Sequence, residues 1–449
     1  MGLRPEKLEN QLNTFDPARR KEALAGLVGL VKAGEIALPE PGSAVNLHCH
    51  TFFSYNGYGY SPTFFAWKAR REGLAVAGVV DFDVLDAVDE FLEACGSLGL
   101  KGCAGVETRI FLPQYETREI NSPGEPGIAY HMAEGFATGA VGDKTLLNKM
   151  RALARNRTIG ILERVNPYFA PAEIDYERDV LPRTPKGNAT ERHLCEAYEA
   201  KAAELFDDLG DRATFWAEKL GTSPEQVGAL FADSPTFQGL IRSTTMKRGG
   251  VGYVKPEPKS FPTLDEVNAL ALANGAIPTY TWLDGTSDAE RDIEALLDLH
   301  MAAGTAAINI IPDRNWNVSD PDLRATKVAK LGAVVEIAQE RGLPVVVGTE
   351  MNAYGQRFVD AFDAPELEPH AATFLKGAHI IYAHTLLQAE KGMGYLSDWA
   401  NGNFASANAK NDFFRQVGEA LSPGDRERLA SITPAMSPAQ VLAALGEQP

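Results

Sequence analysis

Cysteine is scarce in this sequence of 449 residues, and long apolar runs are absent from it. The cysteines have no Cys-x-x-Cys spacing, which in so long a chain favours reduced thiols over a disulfide framework. No stretch has the uninterrupted apolar length of a membrane span. The segment from Met1 to Arg20 is polar and charged, unlike a secretory signal peptide. We therefore expect a cytoplasmic protein in which Cys49, Cys95, Cys103 and Cys195 are free.

Basic residues are outnumbered by acidic ones. The chain has 43 Lys and Arg against 60 Asp and Glu, which gives a formal net charge of −17. Such an acidic surface disfavours nucleic acid and anionic membranes as partners. A small anionic substrate stays possible, because it responds only to the local field of a metal ion or a few arginines. The 45% of hydrophobic residues and 23% of charged residues indicate a soluble globular protein with a large core.

Two common catalytic motifs are missing as well. No Gly-x-Ser-x-Gly elbow supports a serine hydrolase. The glycine-rich loops at 57–60 and 121–127 lack the lysine and Ser/Thr ending of a phosphate-binding loop. Any catalytic site in this chain must therefore use other side chains.

Short apolar segments alternate with longer amphipathic stretches over most of the chain. The predicted strands are Ala44–His48, Ala75–Asp81, Gly102–Glu107, Thr158–Glu163, Ala276–Trp282, Ala306–Ile311, Pro344–Glu350 and His379–His384. The predicted helices between them are Thr63–Glu72, Val84–Leu98, Leu146–Arg155, Leu264–Ala273, Ala289–Ala303, Leu323–Arg341 and Glu366–Leu375. Repeated strand–helix alternation predicts a parallel sheet, and about eight repeats favour a closed barrel over an open sheet.

Composition divides the chain further. Residues 170–262 are richer in charge and proline and carry helical patterns, which indicates a mostly helical insertion or cap. We expect a helical N-terminal extension over 1–43 and a helical tail over 412–449. The barrel would then consist of two parts, 44–169 and 263–411.

Polar side chains follow many of the predicted strands. In a barrel, the functional site lies at the C-terminal ends of the strands. The residues at those ends are His48, His50, Asp81, Glu107, Glu163, Asp284, Asp313, Glu350 and His384. His48 and His50 are two residues apart, so in an extended chain their imidazoles point to the same side. A cluster of imidazoles and carboxylates suits zinc, manganese or iron.

The opening of the barrel resembles a known family. His48-Cys49-His50-Thr51, the strand ending at Asp81, and Gly105-Val106-Glu107 resemble the first strands of a PHP (polymerase and histidinol phosphatase) domain. The segment around His131 and the late strand ending at Glu350 resemble further parts of that domain. The resemblance implies a distorted TIM-like (β/α)7–8 barrel of about seven strands. It also implies a metal-dependent phosphoesterase that uses up to three metal ions.

The family pattern implies which residues would bind metal, and this chain departs from it. The first metal position would be held by His48, His50, Glu107 and Glu350. The second keeps Glu107 and His131, but the strand Ile277–Trp282 lacks the remaining histidine. The third falls near Asn56, Phe82 and Asn352, where no histidine stands and Phe82 cannot ligate a metal. The resemblance therefore implies one or two divalent ions (zinc, manganese or iron) and no third.

Five other residues are candidates for catalysis or substrate binding. Arg109 points the same way as Glu107 if the strand continues, so it is either a clamp for an anionic group or a surface arginine. Arg164 and Arg314 follow predicted strand ends and allow the same two readings. His384 is either a proton donor at the mouth of the site or an interior histidine. Asp81 either orients an imidazole or caps the helix that follows it.

The preferred hypothesis is a metal-dependent phosphoesterase that acts on a small anionic substrate, with His131 either holding a second ion or shuttling protons. One alternative is a one-metal hydrolase or lyase that acts on a carboxylate, lactone or sugar, with the logic of the amidohydrolases. Another is a non-catalytic PHP-like binding protein in which Phe82 and Trp282 fill the space of the missing ions. The oligomeric state is left open by the sequence.

Overall fold

The computed structural model describes residues 4–255 and 257–446. Its centre is a sheet of seven strands in which each strand lies next to its neighbour in the sequence. All neighbouring pairs are parallel except those made by the fourth strand, which runs antiparallel to the third and the fifth. The strands are β1 Val45–Cys49, β2 Val76–Phe82, β3 Lys101–Phe111, β4 Ile128–Glu134, β5 Ile277–Trp282, β6 Ala307–Ile310 and β7 Val345–Val347.

The sheet closes where β7 meets β1. Thr349 and Glu350, just after β7, donate their backbone N–H groups to the carbonyl of His48 at 3.1 and 2.7 Å. His50 returns a hydrogen bond from its own N–H to the carbonyl of Glu350 at 2.7 Å. The fold is therefore an α/β, distorted TIM-like barrel, as predicted, with seven strands. These hydrogen bonds form the seam of the barrel. They lie at the C-terminal ends of the strands and join β1 to the residues after β7.

Helices surround the barrel. Their bounds are α1 Pro5–Gln11, α2 Pro17–Lys32, α3 Pro62–Arg71, α4 Val88–Leu98, α5 Thr145–Phe169, α6 Glu191–Leu205, α7 Leu209–Leu220, α8 Pro224–Leu230, α9 Ser234–Thr245, α10 Leu264–Ala273, α11 Ile293–Ala302, α12 Asp313–Trp316, α13 Pro321–Glu340, α14 Ala371–Lys391, α15 Asp398–Asn403, α16 Ala407–Ala420, α17 Arg426–Ala430 and α18 Pro438–Gly446. Side-chain caps set several of their starts. Ser61 Oγ accepts from the N–H of Phe64 before α3, and Thr263 forms a reciprocal capping box with Glu266 before α10.

Two predicted strands are helical. Thr158–Glu163 lies within α5, where Thr158, Leu162, Val165 and Phe169 are buried at helical spacing. His379–His384 lies within α14, in which residues 377–385 are all buried. Residues 377–385 of α14 are buried on all sides because the helix packs against the barrel, so their sequence is hard to distinguish from that of a buried strand.

One strand was not predicted. β4 pairs with β3 and β5, and the segment between β3 and β4 contains no α-helix, so β4 breaks the strand–helix alternation on which the prediction depended. It follows a loop of about sixteen residues after β3, which is longer than most connections. β4 takes the place in the barrel that the sequence had assigned to Thr158–Glu163.

The segment predicted to be a helical insertion, 170–262, contains α6 to α9. These helices and the end of α5 share a hydrophobic cluster of their own, which includes Trp216, Phe169 and Phe237. Asn188 fastens this cap to the barrel, because its Nδ2 donates to the carbonyls of Phe53 at 3.2 Å and Phe82 at 2.7 Å. The cap therefore sits over the end of the barrel at which β2 ends.

The four cysteines are free and buried, which agrees with the prediction of reduced thiols. Burial raises the pKa of the Cys49, Cys95 and Cys103 thiols well above the usual range, so their reactive thiolate form is disfavoured. Within residues 4–255 and 257–446, none of the helices has the length and apolar character that crossing a membrane requires.

Candidate metal centre

The imidazoles of His48 and His50, at the end of β1, both have Nε2 available to bind a common partner. His48 Nδ1 lies 2.9 Å from Asn309 Oδ1, and because an amide oxygen only accepts, Nδ1 carries the proton. His50 Nδ1 lies 3.2 Å from Ser54 Oγ, whose hydroxyl donates to Asp81 Oδ1 at 2.6 Å. Nδ1 of His50 is therefore the donor in its pair as well. In both rings Nε2 is the atom left to bind a metal ion.

Glu107, on β3, completes a cluster of three buried donors. Its Oε2 lies 3.4 Å from His48 Nε2 and 3.0 Å from His50 Nε2, and the two Nε2 atoms lie 3.4 Å apart. Tetrahedral ligands at about 2.0–2.1 Å from a zinc-like ion lie about 3.3 Å from one another. The donor set therefore fits one divalent ion in spacing and in chemistry. Three protein ligands with a position left open are typical of catalytic metal sites.

His48 and Glu107 attract each other within this cluster. Burial opposes the charged forms of His48 and Glu107, but their mutual attraction outweighs it. The pKa of His48 is therefore raised above its usual range, and that of Glu107 is lowered below its own.

We expect the affinity of this centre for a divalent ion to rise with pH. An ion that binds Nε2 of His48 must displace the proton that the raised pKa retains. Release of one proton per ion lowers Kd by up to about tenfold for each pH unit as the pH rises toward about 9, the raised pKa of His48. Calorimetric titration of chelator-treated protein with Mn²⁺, in two buffers of different ionisation enthalpy, measures Kd and the protons released. A Kd that does not change with pH would contradict this expectation.

Asp81 supports the cluster from outside it. Its carboxylate accepts hydrogen bonds from Ser54 Oγ, from the N–H of Thr51 at 2.8 Å and from Thr51 Oγ1 at 2.6 Å. Through Ser54 it orients His50, the role that the sequence suggested as an alternative to a helix cap. Burial raises the pKa of Asp81 above its usual value despite these donors.

Phe82 occupies one side of the cluster. Its ring packs on the imidazole of His50 with centroids 4.1 Å apart and planes inclined by 30°. It is on the inward face of β2, beside Glu107 in the β2–β3 register. An apolar ring therefore stands next to the metal position, and it also lines the cavity above the cluster.

Glu350 was predicted to be a fourth ligand, and the structure places it beside the cluster instead. Its Oε2 pairs with Arg314 at 2.6 Å and accepts from Gln356 Nε2 at 3.2 Å. Burial raises its pKa, but the charges of Arg314 and His48 outweigh burial and leave that pKa lowered. Glu350 has a φ of +61°, a left-handed conformation that turns the chain sharply after β7. As placed, the carboxylate of Glu350 holds Arg314 at the edge of the site.

His131 does not join the cluster, which corrects the prediction of a second metal position. β4 pairs Met132 with Glu107, so His131 is on the opposite, outer face of the strand. Its Nε2 lies 2.6 Å from Asn268 Oδ1, and its ring lies 5.3 Å from that of His300. Burial lowers the pKa of His131 to about 4, so it is neutral and also unsuited to the proposed proton shuttle. The side chain that β4 turns inward at the level of Glu107 is the thioether of Met132.

Trp282 is not near the metal position either. On β5 it has the same parity as Tyr280, which pairs with the outward His131. Its ring belongs to the hydrophobic cluster that includes Leu296 and Leu331 of the surrounding helices. Of the two aromatic residues that the binding-protein hypothesis placed at the missing ions, only Phe82 is there.

His384 lies at the other end of the barrel, which corrects its assignment as a proton donor at the mouth. It is on α14, and its Nε2 lies 3.1 Å from the carbonyl of Gly135, just after antiparallel β4. Its Nδ1 accepts from the N–H of Tyr395 at 2.9 Å. Burial lowers its pKa to about 4. His384 is therefore a neutral interior histidine, the alternative that the sequence had left open.

The arginines predicted to bind substrate have different surroundings. Arg109 points into the cleft above Glu107, where it pairs with Glu125 at 2.9 Å and lies 5.0 Å over the ring of Phe261. Arg164 is on α5 rather than at a strand end, and it donates to the carbonyl of Gly252 at 3.1 and 2.8 Å. Arg109 and Arg314 line the cavity next to the cluster, whereas Arg164 lines an adjoining one.

A basic cavity lies between the cluster and the cap. We call it the inner cavity; its volume is about 310 Å³, and Phe82, Tyr130 and Gln356 are among its lining residues. Its wall contains six cationic side chains and two carboxylates. The cations are Arg109, Arg157, Arg192, Arg242, Lys247 and Arg314, and the carboxylates are Asp83 and Glu191. In a chain with a net charge of −17, this concentration of positive charge indicates a site for an anion.

A larger outer cavity, of about 890 Å³, adjoins the inner one. The two share Arg109, Tyr130, Arg157 and Glu191 in their walls. The outer cavity adds exposed cations of the cap and the apolar faces of Phe261 and Tyr253. The two cavities adjoin at these shared residues, between the cap and the barrel.

Sequence reasoning missed four of the inner cations. Arg157 is on α5, Arg192 on α6 and Arg242 on α9, and Lys247 follows α9. For Arg192, Arg242 and Lys247 the only signal was the high charge content of the segment predicted to be a cap; Arg157 precedes that segment and had no such signal. Helical periodicity shows which residues share a helix face, but the packing of the cap decides which face meets the barrel.

No protein-family model matches this sequence, and a search of curated proteins finds no match to it. Among the solved structures that are similar to it are the following two. One, from Bifidobacterium adolescentis, is named as a metal-dependent phosphoesterase; it has 20% identity, a TM-score of 0.46, and coverage of 74% of this chain and 96% of its own. The other is an amidohydrolase from Chromobacterium violaceum with bound sulfate and no metal; it has 14% identity, a TM-score of 0.46 and the same two coverages. Neither similarity assigns a substrate or a metal to this chain.

Proposed function

We propose that this protein is a metal-dependent hydrolase of the PHP type that cleaves a phosphate ester of a small anionic molecule. Its metal centre would be formed by His48, His50 and Glu107. The resemblance of residues 44–136 to the PHP family supports the choice of reaction. The spacing of the three donors supports the choice of a single divalent ion.

The observation that carries the proposal is the charge in the inner cavity, which adjoins the cluster through Phe82. Arg109 and Arg314 approach from the barrel, and the cap adds further cations to the same cavity. A neutral lactone or amide has no need of such a field, whereas a phosphate ester carries about two negative charges near pH 7. Guanidinium groups also match the oxygens of phosphate in a bidentate geometry. This is why we prefer a phosphoesterase over the amidohydrolase-like alternative.

The proposed reaction transfers a phosphoryl group to water. The oxygen of water forms a bond to phosphorus as the ester P–O bond breaks. One proton of the water ends on the leaving alcohol, and the other stays on inorganic phosphate. A divalent ion bound here supplies Lewis acidity and lowers the pKa of water. Arg109 and Arg314 neutralise and orient the phosphoryl oxygens, and Asp81 keeps His50 in position through Ser54.

Metal analysis and turnover test this proposal. We expect purified protein to bind about one Mn²⁺ or Zn²⁺ per chain and to release inorganic phosphate from aryl phosphates. His48→Ala should lose the ion and the turnover, because it removes one of three ligands. His370→Ala, at a partly exposed histidine remote from the cluster, is the matched control and should keep both.

Three results would redirect or overturn the proposal. Hydrolysis of lactones without hydrolysis of phosphate esters would favour the amidohydrolase-like alternative. A bound ion without turnover of either class would favour a binding protein. An absence of stoichiometric metal in the wild type, or its retention in His48→Ala, would contradict the metal centre itself.

A further inference from the structure

The cap side of the inner cavity carries a cation group of its own. It consists of Arg192 on α6, Arg242 on α9 and Lys247 just after α9, which we call the cap cations. Arg192 and Arg242 are on different helices of the cap. The three side chains meet near the start of α6. The first residue of that helix, Glu191, lies among them.

The cap cations are only partly neutralised. Glu191 Oε2 accepts from both Arg242 Nε and Lys247 Nζ, each at 2.7 Å. Among the ion pairs of residues 4–255 and 257–446, Arg192 has no carboxylate partner; its guanidinium lies 5.9 Å from the centre of the Tyr55 ring. Burial and the nearby charge of Arg242 lower the pKa of Arg192 and of Lys247 below the usual values. An anion bound among them would relieve this repulsion.

The barrel side of the same cavity carries a second cation group. Arg109 and Arg314 lie there, next to the cluster of His48, His50 and Glu107. Both groups line one cavity of about 310 Å³, which is the size range that holds a small organic ligand. A single inorganic phosphate next to Arg109 and Arg314 would leave Arg192, which has no carboxylate partner among the described residues, without an anion.

We propose that the substrate is a phosphate ester whose leaving group carries a second anionic group, and that the cap cations bind that second group. The inference rests on the proposed function, which places the scissile phosphate at the metal centre. Arginine forks match both carboxylate and phosphate, so the shared chemistry is an oxyanion on the leaving group. The cap is then a selectivity element and not only a cover.

Binding of non-hydrolysable probes to the Mn²⁺-loaded protein tests the inference independently of turnover. The probes are phenylphosphonate, 4-carboxyphenylphosphonate and 1,4-phenylenebisphosphonate, measured by calorimetry. We expect at least one of the two second anions to tighten binding by about tenfold or more over phenylphosphonate. Comparison of 4-carboxyphenylphosphonate with 1,4-phenylenebisphosphonate shows whether the cap cations prefer a carboxylate or a phosphate on the leaving group.

Two substitutions locate the effect. Arg192→Gln should reduce the preference for the doubly anionic probe about fivefold or more, since it removes the cation without an ion-pair partner. Lys247→Gln, at a side chain that is 46% exposed, should also reduce it and leaves Glu191 paired with Arg242. Arg178→Gln is the control, because Arg178 is an exposed cap arginine that pairs with Asp179 and lines neither cavity.

Turnover separates this inference from the function on which it rests. The ratio of kcat/KM for 4-carboxyphenyl phosphate to that for phenyl phosphate should exceed one in the wild type and fall in both variants. Equal binding of all three probes by the wild type, or a preference retained in both variants, would overturn the inference even if phenyl phosphate is hydrolysed. A preference for doubly anionic probes without any hydrolysis would overturn the proposed phosphoesterase and leave the cap site standing.

Discussion

Glu107→Gln is expected to empty the metal centre without changing its shape. Glutamine has the volume of glutamate, so the barrel keeps its packing, but the anionic ligand is lost. Loss of groups that only orient metal ligands weakens metal affinity by about 10–100-fold, and loss of a ligand itself should exceed that. We therefore expect metal affinity to fall at least about 100-fold and turnover to fall with metal occupancy. Metal analysis after dialysis and phosphate release measure the two effects.

A matched control is available on the surface. Glu294→Gln removes the same charge on α11 from a side chain that is 72% exposed, and it should leave metal content and turnover as in the wild type. A cooperative unfolding transition of ion-free Glu107→Gln would show that this variant is folded; its midpoint should lie below that of Glu294→Gln, because the attraction between His48 and Glu107 is lost. If Glu107→Gln bound an ion as tightly as the wild type, then His48, His50 and Glu107 would not be the metal centre.

Gly348→Ala is expected to open the seam of the barrel. A Cβ at Gly348 would lie well inside van der Waals distance of the backbone nitrogen, Cα and Cβ of His48. The conflicting atoms are mainly backbone and cannot rotate away, so β7 and β1 must separate. Overpacking of this kind costs about 3 kcal/mol or more of the free energy of unfolding. Because His48 moves with β1, the affinity for metal should fall as well.

Denaturant unfolding of the ion-free protein measures the first effect, and Mn²⁺ titration measures the second. Gly29→Ala is the matched control, since a Cβ on that residue of α2 meets no atom within 4 Å and alanine favours a helix. It should be neutral or slightly stabilising. If Gly348→Ala unfolded at the same denaturant concentration as the wild type, the contact between β7 and β1 would not be tight.

Most of the barrel could be predicted because its strands have strong local signals. β1, β2, β5 and β6 are short apolar segments bounded by helical patterns, which pattern analysis detects well. α5 and α14 were partly misread, since each contains an apolar stretch of strand length. The register of β4 with β3 and β5 could not be predicted, because it depends on pairing between segments more than a hundred residues apart in the case of β5.

In the candidate site, too, the residues with local signals were predicted correctly, and those that depend on distant contacts were not. His48 and His50 were found from their spacing on a strand, and Glu107 from its place at a strand end. His131 was misplaced because its side of β4 depends on which residue pairs with Glu107. The sequence offered no means of telling that Glu350 pairs with Arg314, since that contact depends on how the chain turns after β7.

The sequence by itself determined the strand–helix rhythm, the spacing of the two histidines and the surplus of charge in the cap. These are local properties, set by the alternation of a strand and the period of a helix. Only the tertiary structure decided that His131 and His384 lie away from the metal centre. It also decided that cations of α5, α6 and α9 meet above the barrel of an otherwise acidic protein. The physical reason is that packing brings distant segments together, and the faces on which they meet are not encoded in any one of them.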